Sequence, residues 1–119
     1  LLHFFKSGFK RLIYIIMTEI IDFTDSPKPL KRFRITLDIS GKEKHFDFGS
    51  KGGRTFIDEG NVVKRTNFLK RHLANRLERE RVENLIPSPA LFSIMLLWGD
   101  STDLTDNIVH LNKLFKSTF

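Results

Sequence analysis

Phe33-Arg34-Ile35-Thr36-Leu37-Asp38-Ile39, then Ser40-Gly41, then His45-Phe46-Asp47-Phe48, is the stretch on which the fold turns. Phe33, Ile35, Leu37 and Ile39 alternate with polar residues, and period-two alternation of β-branched and aromatic residues signals a half-buried strand. Ser40-Gly41 supplies a turn. Phe46 and Phe48 resume the alternation on one face, so the reading is a β-hairpin. Residues 49–53, GSKGG, interrupt it, and Thr55-Phe56-Ile57 read as a third short strand.

From Asn61 the period changes. Val62, Thr66, Leu69, Leu73 and Leu77 recur at three- and four-residue steps, which is one helical stripe. Asn75 is expected to divide this stretch, with a second helix over about 76–85 that turns Leu77, Val82 and Leu85 inward. Ser88-Pro89 is a helix entry, because Ser caps free amides and Pro tolerates the first position. The following run, PALFSIMLLW, is apolar almost all round and reads as the central buried helix, ended by Gly99. Ser101 or Thr102 is expected to cap a last helix with the stripe Leu104, Ile108, Leu111 and Phe115. The fold class is therefore α+β: a short antiparallel sheet over about 31–57, followed by three to four helices over about 61–115.

Upstream, Pro27 and Pro29 disfavour helix and mark a linker. Residues 1–30 are accordingly read as an extension, and 31–119 as a single α+β domain. The extension opens LLHFFKSGFKRLIYIIM, with three bases and no acid. Its longest apolar run, Leu12 to Met17, falls far short of the roughly 20 residues a membrane-spanning helix needs. Two origins stay open for the first sixteen residues: sequence ahead of a natural start at Met17, or the remainder of a longer tail. As a basic and aromatic segment, Phe4, Phe5, Phe9, Lys10, Arg11 and Tyr14 suit a partner groove or a membrane surface.

Composition narrows the chemistry. The 119 residues leave room for one domain, and 40% apolar against 29% charged residues is the balance of a folding chain. Twelve Phe exceed what a small core usually holds, so some are expected at the surface as interface. The net charge of +6 favours anionic partners. It is unevenly spread: residues 28–54 carry eight Lys/Arg against three acids, and residues 61–81 seven against two. With no cysteine, disulfides, thiol catalysis and cysteine-bound zinc are excluded.

No catalytic constellation emerges. Gly49, Lys51, Gly52, Gly53 and Arg54 make a cationic glycine segment, but a nucleotide P-loop needs GxxxxGK[ST] opening a helix. A turn requiring positive φ is the better reading. His3, His45, His72 and His110 show no i,i+4 metal spacing. Asp58-Glu59 read as a cap or turn rather than a carboxylate pair, and there is no serine elbow. These gaps lead to the expectation of a protein that is not an enzyme, with no cofactor, metal or small-molecule substrate. The strongest generic feature is the basic helix: Lys64, Arg65, Lys70, Arg71 and Arg76 suit a phosphate backbone or an acidic protein surface.

Several blocks carry a resemblance. The run 31–37, KRFRITL, the run 46–58, FDFGSKGGRTFID, Lys70-Arg71-His72, the run 83–93, ENLIPSPALFS, and Leu96-Leu97-Trp98-Gly99 together resemble a family of small proteins of large eukaryotic DNA viruses. The likeness spans roughly residues 31–115 and leaves 1–30 uncovered. It implies a context and no catalytic assignment. In such viruses small proteins are often virion components that tie major-capsid assemblies to one another and to the inner membrane. The resemblance thus implies a minor capsid protein in the virion, with the major capsid protein or other minor capsid proteins as partners and contact with the inner membrane. A DNA-packaging protein that binds nucleic acid without sequence preference is the alternative.

Overall fold

The computed structural model describes residues 17–116. Phe4, Phe5, Phe9, Lys10, Arg11 and Tyr14 lie outside the described residues.

Three strands, β1 (Thr18–Asp25), β2 (Lys31–Ile39) and β3 (Lys42–Ser50), form an antiparallel sheet in the order β1-β2-β3. The hairpin is as its alternation predicts. Ser40 and Gly41 both adopt positive φ, 53° and 85°, the left-handed pair that a two-residue hairpin turn requires. Asp38 locks the turn by accepting from the Gly41 amide at 2.8 Å.

β1 corrects the sequence reading, which placed residues 18–25 in an extension ahead of the folded part. Thr18 pairs with Ile39, Ile20 with Leu37 and Phe23 with Ile35. The register shifts between Ile20 and Asp22, so Ile21 is the extra residue of a bulge. That insertion destroys the period-two pattern, with the inward positions Thr18, Ile20 and Phe23 no longer evenly spaced. Pro27 and Pro29 sit in the loop joining β1 to β2 rather than in a leading linker.

The expected third strand at 55–57 is instead a single helical turn, α1 (Phe56–Glu59). The Asp58 carboxylate accepts from the Thr55 amide at 2.8 Å and from its hydroxyl at 2.9 Å. This local capping outweighs the strand preference of Thr, Phe and Ile. Gly60 then ends the turn in the left-handed region.

Helices α2 (Val62–Leu73) and α3 (Arg76–Glu83) follow, divided at Asn75 as expected. Asn61 and Asn75 cap them, each side chain accepting from the amide three residues on. Phe68, Leu69, Val82 and Leu85 pack on the core. Leu77, expected inward, is 62% exposed, and Val62 is 65% exposed. The break at Asn75 resets the helical phase, so the α2 stripe does not continue into α3.

Helix α4 (Pro89–Phe92) runs into a π-helical turn, Ser93–Leu97. The Ser88 hydroxyl accepts from the Leu91 amide, with Pro89 in the first turn. Gly99 follows, as expected. The last helix, α5 (Leu104–Lys116), buries Leu111 and Phe115, with Ile108 and Leu104 beside them. Its cap is Asp103 rather than Ser101 or Thr102. The Asp103 carboxylate accepts from the Thr105 amide at 2.8 Å, while the Ser101 hydroxyl accepts from the Asp103 amide at 2.9 Å. α5 is tied to β1 by the Ile20 amide donating to Asn112 and by Lys116 paired with Glu19, both at 2.9 Å.

The core is a Phe cluster between one face of the sheet and α4. Phe23, Phe33 and Phe48, one from each strand, all touch one another with centroids 5.1, 6.0 and 6.1 Å apart, and Phe92 of α4 closes on Phe46 and Phe48 at 5.3 and 5.7 Å. Every Phe among the described residues is buried or half-buried. The expected surface excess of rings is therefore absent from this part of the chain. Rings placed directly opposite on neighbouring strands, such as Phe33 and Phe48, fill the volume over a three-stranded sheet without needing a larger domain.

Candidate functional site: a cationic cleft beside the glycine turn

β3 ends in Gly49-Ser50, and the chain turns sharply through Lys51 and Gly52. Gly49 has φ 76°, and a Cβ there would lie 3.0 Å from Leu97 Cδ1 and 3.3 Å from Arg32 Cβ. The end of β3 is thus pressed against the π-helical turn, as only glycine allows. Gly52 takes φ 84° in open space. The glycine segment is a turn needing positive φ, as its sequence suggested.

Between this strand end, α2, α3 and α4 lies a cleft of about 660 Å³. Gly49, Ser50, Gly53 and Arg54 form one wall, and Phe68, Arg71 and His72 of α2 form another. Arg81 and Glu78 close it from α3, Lys31 from the start of β2, and Ser93, Leu97 and Trp98 from below. π-Helical turns recur at functional sites because the unmatched carbonyl and widened helix reshape a local surface. A second depression of about 450 Å³, lined by Arg32, Gly52, Gly53, Arg54 and Asp58, lies across the same glycine turn.

Charge in the cleft is unbalanced. Of its four cations, Arg54 is paired with Glu59 at 3.3 Å. Lys31, Arg71 and Arg81 have no acidic partner among the described residues. The one acid of the lining, Glu78, is engaged by His72 Nδ1 at 2.8 Å. The Arg71 guanidinium lies 5.9 Å from the Phe68 ring centroid, a cation–π contact that leaves its donors open.

The aromatic wall is a column. Phe68 stacks on Trp98 with centroids 4.2 Å apart and planes 10° from parallel. His72 lies 4.2 Å from Phe68 at 34°. Trp98 is buried and His72 half-exposed, so the column runs from the core to the surface.

The five residues of the expected basic face are not brought together. Lys64 donates to Glu59 at 2.9 Å and to the Arg54 carbonyl at 3.0 Å. Arg65 donates to the carbonyls of Trp98 and Gly99, both at 3.0 Å, and pairs with Asp100. Arg76 pairs with Glu80 along α3. Lys70 is exposed, away from the cleft lining, and only Arg71 of the five enters it. Of the glycine segment, Gly49, Gly53 and Arg54 line the cleft, Gly52 lines the second depression, and Lys51 lines neither.

Lys31, Arg81 and the His72 column are additions that the sequence reading did not assemble. Lys31 was within reach, because a turn centred on Ser40-Gly41 sets Lys31 opposite Ser50, as the register shows. Arg81 was not, since its position depends on how α3 packs after the Asn75 break.

Flanking the cleft, the Arg32 guanidinium grips Asp58 through two hydrogen bonds of 2.7 and 2.6 Å. That pairing, with help from the Thr55 amide and hydroxyl, holds the Asp58 carboxyl below the usual carboxylate range. Lys64 acts likewise on Glu59. These acids are occupied as local counter-charges to Arg32, Arg54 and Lys64. Among the described residues no group of three or more His, Asp or Glu is arranged to hold a metal ion. Among them, too, no helix is long and apolar enough to cross a membrane.

Residues 21–72 match the model of a family of unknown function, DUF5754. The matched segment runs from the middle of β1 to the end of α2, and so includes the glycine turn, Phe68, Arg71 and His72 but not Arg81 or α4. No curated protein and no solved structure matches the chain.

Proposed function

We propose that the protein is a non-enzymatic binding component of a virion, a minor capsid protein of a large DNA virus that holds neighbouring capsid subunits. The sequence blocks described above support the viral context. The observation that supports binding is the set of cations Lys31, Arg71 and Arg81, which face one cleft with no acidic partner among the described residues. Cations gathered without counter-charge raise the local positive potential and select an anionic partner. In a shell that partner is an acidic segment of a major or minor capsid protein.

A second reading, a nucleic-acid-binding protein of genome packaging, is favoured by one specific observation. The glycine turn stands beside the cations, where backbone without side chains lets a phosphate approach closely. Fractionation of purified particles separates the two. After gentle release of the genome, a capsid component is expected to stay with the shell. Recovery with the released DNA contradicts the capsid reading and supports the packaging one.

A further inference from the structure

We infer that the cleft is a binding site for single-stranded nucleic acid, with phosphates held by Lys31, Arg71 and Arg81 and a base stacked on the outer face of His72. The inference rests on the second reading above, a nucleic-acid-binding protein, and names the ligand and the site.

Three features select this ligand. First, the cations sit around a recess, not on a ridge. A bilayer meets only the rim of a recess, and duplex recognition puts a protruding helix or strand into a groove. A single strand can enter. About 660 Å³ is the size of an ordinary small-ligand pocket and suits about one or two nucleotides. Second, the Trp98-Phe68-His72 column ends in a half-exposed ring beside Arg71. Single-strand binders combine this pair of elements, a flat ring for a base and a cation for the adjoining phosphate. The hydrogen bond from His72 Nδ1 to Glu78 fixes the ring's orientation. Third, Gly53 and Ser50 place backbone and a small hydroxyl on the facing wall, where a bulkier side chain would fill the recess.

An acidic peptide would satisfy the cations but gains nothing from a stacking ring. The aromatic end of the column therefore distinguishes the two ligands.

The test uses the full chain and a fluorescent oligothymidylate, read by anisotropy across a salt series. Binding should weaken as salt rises. Arg71→Ala with Arg81→Ala should weaken it at least tenfold. The exposed pair Lys70→Ala with Arg76→Ala, outside the cleft, should change it less than twofold. His72→Ala should weaken it several-fold and His72→Phe should restore it, a split that mere loss of charge does not produce. Circular dichroism on each variant checks that the fold is kept, and Lys31→Ala serves as the second cleft variant. Equal losses from the cleft and control pairs would overturn the site while leaving the polyanion reading intact. Stronger competition by polyglutamate or by phosphatidylserine vesicles than by unlabelled oligothymidylate would overturn the ligand. Absence of binding to every polyanion would overturn both.

Discussion

Gly99→Ala is expected to destabilise the protein by about 3 kcal/mol, a fall in melting temperature on the order of 10 °C. Gly99 is buried, and a Cβ placed on it would run into the Met95 carbonyl oxygen and lie 2.8 Å from Asn107 Cγ. Neither neighbour can yield. The Met95 carbonyl belongs to the π-helical turn. The Asn107 amide donates to the carbonyls of Leu96 and Ser101 at 3.0 and 2.8 Å, and its oxygen accepts from the Ser101 amide at 3.1 Å. Asn107 is thus a buried polar clamp holding the loop from Trp98 to Asp103 against α5. Displacing it would strand backbone groups that water cannot reach. The same methyl would disturb the carbonyls that Arg65 caps. Thermal and urea unfolding of the single variant measure the effect, and an unchanged midpoint would show that this loop is not tightly packed.

Asp47→Asn is expected to cost about 2 kcal/mol at neutral pH, with a loss that shrinks on acidification. Asp47 lies on the sheet face away from the helices, yet its side chain is only 3% exposed because the β1–β2 loop covers it. Ser26 donates to it at 2.6 Å, Arg34 donates twice at 3.0 and 3.1 Å, and Lys28 stands 3.4 Å away. These contacts pin the Pro27–Pro29 loop onto the sheet. The Arg34 hydrogen bonds hold the Asp47 carboxyl well below the usual carboxylate range. Ser26 and Lys28 act in the same direction, against the opposing effect of burial. The sign follows from linkage. A carboxyl whose pKa is depressed in the folded state stabilises fully above its unfolded value of about 3.9. That contribution is lost as pH falls through the folded value. The difference in unfolding free energy between the parent and Asp47→Asn should therefore be flat from neutral pH down to about 5 and narrow below about 4. A pH-independent difference would assign the stabilisation to packing alone.

The parts of the fold that were legible in sequence are those fixed by local rules. The hairpin follows from its alternation and the Ser40-Gly41 turn, and the Ser88-Pro89 helix start and the Asn75 break follow from capping chemistry. What escaped depends on context. β1 was hidden because one inserted residue at Ile21 breaks the alternation, and the two prolines after it suggested a linker. The α1 turn was hidden because Asp58 reaches back to Thr55 across a segment of strand-forming residues. Among the described residues the Phe rings are core rather than surface, because composition cannot show that rings on three adjacent strands and α4 nest against each other. The site divides along the same line. The glycine turn and Arg71 could be named from sequence, and Lys31 could be derived from the hairpin register. The diversion of Lys64 and Arg65 could not, since their partners are set by loop geometry, whereas the Arg76–Glu80 pair follows from i,i+4 spacing on α3.

The working surface we infer is the cleft between β3 and α2, not the outer face of the basic helix. Amide chemical-shift mapping of the full chain, titrated with oligothymidylate, distinguishes the two surfaces. Shifts are expected to concentrate at Gly49, Ser50, Gly53, Arg71, His72 and Arg81, with the Trp98 indole following through the stacked column. Shifts confined to Lys64, Lys70 and Arg76, with Gly49–Gly53 and His72 unmoved, would contradict it.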